Sequence, residues 1–319
     1  MVEGFGSSIA SLLGLATTRE QFPITSLNWG VPLLLVALVL AGVRLRHLGR
    51  VPRWLLVTLA IAVAFWALAG LNTTIGRGPD AGRYQYVGAI LLLLIAAELL
   101  RGVRIPRAGV IAALAVSALA TLSNLSLLED YSNALAGLAG QQRGGLAAVE
   151  LARDRVDSGL LLTQENSDVD YLGELDAGSY VSAVDSYGSP AYSPDELAAA
   201  AEPSRAAADK VFAAALELEL EPGARSATSC LVARPQSAED LVLELPPGGA
   251  QLRPRVGSRA ELQLRRYATA SFPVDLGTLD GGRPATLRIP TDGSTEPWEA
   301  GLRASGPVEI CRLAKEDAA

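Results

Sequence analysis

Residues 72–86 read NTTIGRGPDAGRYQY and set Arg77, Asp80, Arg83, Tyr84 and Tyr86 close together. The planar guanidinium of arginine grips a phosphate or pyrophosphate through paired hydrogen bonds. These five residues are candidate lipid-phosphate contacts; the simpler use of the same side chains is anchorage in the headgroup layer. A second group, Tyr267, Phe272, Asp292 and Trp298, offers rings and a carboxylate suited to a glycan. Its alternative is a core role, with Trp298 as a plug, because large aromatics are usually highly buried. Cys230 and Cys311 either pair as a disulfide or stay as buried thiols. The single histidine, His47, and the wide cysteine spacing argue against a metal site or a Ser-His-Asp triad, and no cofactor is expected. No phosphate-binding loop or dinucleotide fingerprint is present in the sequence.

The 72–86 loop can meet a lipid phosphate only at a membrane surface, and four apolar stretches put it there. They cover 29–45, 54–71, 84–100 and 108–128. Each has about the 17–25 residues that a helix needs to span the hydrocarbon core. The connector after the first holds Arg44, Arg46, His47, Arg50 and Arg53, and the connector after the third holds Arg101, Arg104 and Arg107. The connector after the second holds only Arg77 and Arg83, with Asp80 between. By the positive-inside rule the two arginine-rich turns are cytoplasmic. The N-terminus, the 72–83 loop and everything after about residue 128 are then external. Residues 1–28 form an external lead-in broken by Pro23, in which GSSIASLLGLA reads as a helix lying on the outer membrane surface. Glu98 reads as an interfacial carboxylate near Arg101 rather than a buried proton relay.

Residues 1–128 hold ten Arg, no Lys and four acids, whereas the whole chain is −7, so residues 129–319 carry −13. That acidity excludes nucleic acid as a partner. Arginine outnumbers lysine 25 to 2, which fits a GC-rich genome. The expected location is a bacterial plasma membrane, multi-pass, with the N-terminus and the carboxyl-terminal domain external.

Residues 129–223 read as an external helical and loop-rich region. It starts with one helix broken at Gly137, Gly140, Gly144 and Gly145, and Ser193-Pro194-Asp195-Glu196 opens a later helix. Tyr180, Tyr187 and Tyr192 could pack this region against the carboxyl-terminal domain. Residues 224–319 change period: ATSCLVAR, EDLVLELP, AQLRPRV, AELQLRRYA, ATLRIP and PVEICRL alternate polar and apolar residues between Gly- and Pro-rich turns. The expected fold is a four-helix transmembrane region, then an external α+β region ending in an antiparallel β-sandwich of jelly-roll type.

The segment GRYQYVGAILLLLIAAELLRG resembles the late transmembrane region of GT-C-type membrane glycosyltransferases, in which an Arg-Tyr pair opens a helix on the external side. AVDSYGSPAYSPDEL, VLELPPGGAQLRPRVGSRAELQLRRYA and LRIPTDGSTEPW are similar to the external carboxyl-terminal region of large bacterial membrane proteins of this type. The resemblance implies a polyprenyl-phosphate sugar donor and an acidic catalytic residue in the first external loop. Glu3 and Glu20 match no such acidic motif. It therefore implies a non-catalytic rear half, with the front half encoded separately. Arg83 and Tyr84 carry over as donor-phosphate contacts, and no catalytic base does. The alternative is a membrane-anchored external module that binds an envelope glycan or another partner and has no transferase role.

Overall fold

The computed structural model describes residues 2–19, 22–25, 27–71, 82–162, 175–234 and 241–314. They form two compact units, Met1–Leu135 and Ala136–Ala319.

The first unit is helical. A short helix α1 (Val2–Leu12) leads into a hairpin of β1 (Ala16–Arg19) and β2 (Phe22–Thr25). Then come α2 (Leu27–Leu48), α3 (Arg53–Leu71), α4 (Gly82–Leu100) and the start of α5 (Arg107–Leu151). Among the described residues three segments, rather than the expected four, are long and apolar enough to cross a membrane: Trp29–Leu48, Arg53–Leu71 and Arg107–Leu151. The remaining apolar helix, Tyr84–Leu100, is shorter than these. Their outward-facing Leu, Val and Ile side chains are exposed, as a lipid-facing surface requires. Pro52 and Pro106 sit in the turns before α3 and α5, where a missing N–H and a fixed φ stop consecutive helices from fusing.

Helix α1 falls in the lead-in, where the sequence predicts a helix. It packs on α2 and α4, and Ser8 and Ala10 are fully buried. The contact with α2 is backbone to backbone, since a Cβ on Gly6 would come within 2.7 Å of Gly30. Only a glycine pair permits that approach. Side chains from α5 satisfy carbonyls at the end of α1: Ser123 Oγ donates to the Gly14 carbonyl at 2.7 Å and Asn124 Nδ2 to that of Ser11 at 3.0 Å.

The arginine-rich turns have a geometric link. Arg44, near the end of α2, donates from Nε to the Leu99 carbonyl at 2.9 Å and from Nη2 to the Arg101 carbonyl at 3.1 Å. It thereby caps the C-terminus of α4, where unpaired carbonyls and the helix dipole favour a cation. Glu98 pairs with Arg101 at 3.7 Å on that same terminus.

The second unit begins inside α5, which runs unbroken to Leu151 rather than breaking at its glycines. At Gly140 and Gly144 the absent side chains make room for Ser204, whose atoms would lie within 2.8 Å of a Cβ on Gly140. These glycines are packing positions, which local helix propensity cannot reveal. Next come α6 (Ala177–Tyr187), α7 (Pro194–Ala199) and α8 (Glu202–Ala215). The expected start at 193–196 is a full capping box between Ser193 and Glu196.

Beyond α8 lie the strands β3 (Leu220–Pro222), β4 (Ala227–Ala233), β5 (Leu241–Glu244), β6 (Gly248–Pro254), β7 (Arg259–Arg265), β8 (Val274–Asp280), β9 (Ala285–Ile289), β10 (Glu299–Ala304) and β11 (Val308–Leu313). They make two antiparallel sheets, ordered β5-β10-β7-β8 and β3-β9-β6-β11-β4. Period-two alternation aims Ala260, Leu262 and Leu264 of β7 inward, opposite Ala300 and Leu302 of β10. Leu252 and Leu287 from the other sheet join the same core, with Phe212 and Val211 of α8 and Val149 of α5. Each fully buried leucine contributes about 1.5–3 kcal/mol.

Candidate functional site

The first candidate site lies where α4 begins. Arg77 and Asp80 fall outside the described residues, as does the side chain of Arg83, whose backbone opens α4. Tyr84 is half-buried and meets Phe65 edge-on at 6.1 Å, whereas Tyr86 is 74% exposed. Between them Gln85 is buried and accepts a 2.9 Å hydrogen bond from Ser8 Oγ of α1. Trp66 of α3 is fully buried beside Phe5 and Phe65, with ring centroids at 5.8 and 5.1 Å. Its indole Nε1 has no hydrogen-bond partner among the described residues. Sequence reading missed Ser8, Gln85 and Trp66. The available signal was a polar residue inside an apolar helix, since such groups in a membrane segment are costly and tend to be functional.

In the second unit the expected glycan residues split up. Tyr267 and Trp298 converge, but Trp298 is 2% exposed and Tyr267 is buried as well. Phe212 lies between them, its ring 6.1 Å from Tyr267 and 6.3 Å from Trp298. The Arg266 guanidinium stands 5.1 Å from the Phe212 ring and 5.3 Å from that of Trp298. It also bonds Asp292 at 2.7 Å in a buried ion pair. Tyr267 shares a 2.8 Å hydrogen bond with Ser294, and burial raises its phenol pKa. Phe272 sits elsewhere, half-buried against Gly301 and under Arg265 at 4.5 Å. A sugar-stacking platform must show its ring faces to solvent; here the rings and Asp292 hold the core together.

Two carboxylates of α8 position this cluster. Asp209, fully buried, accepts the backbone N–H groups of Arg266, Tyr267 and Ala268 at 2.8–3.2 Å. Burial pushes its pKa up, against the opposing pull of those amides and of Arg266. Glu202 accepts the backbone N–H groups of Thr269 and Ala270 and pairs with Arg205 at 2.8 Å. Desolvation alone would raise the Glu202 carboxyl; the two amides and the guanidinium outweigh it and hold the pKa at about 2. Because the folded value lies below the ordinary 4.5, this stabilisation is complete above 4.5 and fades as pH falls toward 2. The side chain keeps some solvent contact, so the expected size is about 2 kcal/mol. Acid titration of thermal unfolding should show that slope in the wild type and a weaker one in Glu202→Gln.

Elsewhere in this unit, Tyr180 is buried with its hydroxyl donating to Glu150 at 2.6 Å, and Tyr192 lies under Arg143 at 4.0 Å. Tyr187 is exposed. Cys230 and Cys311 form a disulfide across the facing strands β4 and β11, where they are direct register partners. Glu309 lies beside both sulfurs, which are bonded to each other.

No protein-family model and no curated protein matches this chain.

Proposed function

We propose that the chain is a membrane-anchored envelope protein with four spans. In this reading the carboxyl-terminal unit is a β-sandwich displayed on the external side. The chain acts as a non-catalytic partner in GT-C-like sugar transfer, contributing contacts to a lipid-linked sugar phosphate. The observation that supports the membrane topology in this reading is the Arg44 cap on α4. It brings the two arginine-rich turns to one end of the helices, as four alternating crossings require. The disulfide fits an oxidising external compartment. Tyr84, braced by Phe65 at the start of α4, supports a phosphate site formed with Arg77 and Arg83.

Two measurements test it. A reporter fused after Ala319 should be active only on the external side; cytosolic activity ends the proposal. The full chain in neutral nanodiscs should bind a polyprenyl phosphate, and Arg77→Ala/Arg83→Ala should weaken that binding by about tenfold. Unchanged affinity in the double variant leaves the alternative, an anchored interaction module without a lipid-sugar role.

A further inference from the structure

We propose that the second unit carries an oxyanion site at one end of its five-stranded sheet, selective for a compact phosphate group. Register defines it. Val232 of β4, Glu309 of β11 and Arg253 of β6 are partners in one cross-strand row. Two residues farther along, the same face presents Arg234 after β4, Pro307 before β11 and Arg255 after β6, because side chains two apart share a face. These six residues, with Pro254, Val256 and Gly282, line an open cavity of about 580 Å³.

The charges in this cavity are unequal in their commitments. Glu309 faces Arg253 at 3.8 Å and neutralises it. Arg234 and Arg255 are exposed and have no side-chain partner among the described residues. They flank β11 from its two neighbouring strands, about 9–10 Å apart at the backbone. Two long side chains reaching inward from that spacing can grip one phosphate or pyrophosphate above the neutral Pro307, each through its guanidinium fork. Val256, 83% exposed, and Val232 add apolar walls for whatever carries the phosphate.

The surroundings select the ligand. Residues 129–319 carry −13, so an extended polyanion is repelled at long range, whereas a single compact phosphate enters a local positive pocket. The backbone is organised in advance. Arg255 N–H donates to the Pro307 carbonyl at 3.0 Å, and Gly282 N–H to that of Pro254 at 2.8 Å. The Cys230–Cys311 disulfide pins β4, the edge strand bearing Val232 and leading to Arg234, onto β11. Such preorganisation lowers the ordering cost of binding.

The test is calorimetric titration of the full chain in phosphatidylcholine nanodiscs at low ionic strength, with two probes: inorganic pyrophosphate, and water-soluble dihexanoyl phosphatidate as a lipid headgroup. Saturable binding of either probe is expected. Arg234→Ala/Arg255→Ala should weaken it by about tenfold or more, Arg234→Lys/Arg255→Lys by less, and Arg312→Ala should leave it unchanged. Pyrophosphate binding identifies a free phosphate ligand; binding of the phosphatidate alone, with the same response to the variants, identifies a headgroup. No binding of either probe, or equal binding by the wild type and the Arg234→Ala/Arg255→Ala variant, overturns the proposal. Both arginines are exposed, so the variants should fold, and retained thermal unfolding checks that. The titrations are repeated in the Arg77→Ala/Arg83→Ala background, which removes the phosphate contacts proposed at the start of α4; saturable binding there, and its loss on adding Arg234→Ala/Arg255→Ala, reads the cavity alone, and its absence there overturns the proposal.

Discussion

Replacing Cys230 and Cys311 together with alanine should destabilise the second unit by about 4 kcal/mol and lower its melting temperature by about 12 °C. The cross-link joins residues 81 apart in sequence. In the chain-entropy picture, closing a loop of that length removes about 4.5 kcal/mol of freedom from the unfolded chain. Contacts in the folded state add little beyond this, because β4 is an edge strand exposed along most of its length. The single variant Cys230→Ala should lose nearly as much as the double one, since either removes the cross-link. Thermal unfolding with and without reductant measures the effect: the wild type should fall to the variant's level on reduction. A loss under about 1 kcal/mol would show that pairing with β11 alone holds this edge.

Asp209→Ala should cost a similar amount by a different route. The carboxylate is the acceptor for three consecutive backbone N–H groups, at Arg266, Tyr267 and Ala268. Removing it orphans buried donors at about 1–3 kcal/mol each, partly relieved where water enters, for a total of about 4 kcal/mol. The turn that aims Arg266 between Phe212 and Trp298 would loosen with it. Asp209→Asn retains one acceptor oxygen and should recover part of the loss. Denaturant unfolding gives the numbers, and near-ultraviolet circular dichroism reports the packing of Trp298. An Asp209→Ala protein with wild-type stability would mean that the 266–268 turn is held by its aromatic contacts instead.

Local signals were readable where one residue type has one strong physical consequence. The capping box at Ser193 and Glu196 is where local hydrogen bonding predicts it. Six of the later strands fall on short alternating runs between turn residues; in β5 and β7 burial follows that alternation, whereas β6 and β9 are buried along nearly all their length and β4 is exposed along nearly all of its own. Strand β8 was not legible because its alternation slips. The register passes from Leu262 opposite Gly277 to Gln263 opposite Asp275, so Val274 and Leu279 are both buried although five residues apart. Strand β10 hides for another reason: Gly301 lies in its middle, and the Phe272 ring covers it. The same limit applies to the sites. Trp298 and Asp292 have the side chains of a sugar site, yet exposure decides that use, and exposure is set by α8 and the turns around it.

Composition and periodicity alone determined that an apolar helical part is succeeded by an acidic β-rich part, because transfer of apolar surface from water and side-chain alternation are properties of local sequence. Only the tertiary structure decided that α1 packs on α2 and α4, that Tyr267 and Trp298 are core, that the cysteines face each other, and that Arg234 and Arg255 flank one cavity. Each of these depends on which distant segments become neighbours, and that choice belongs to the packing of the whole chain.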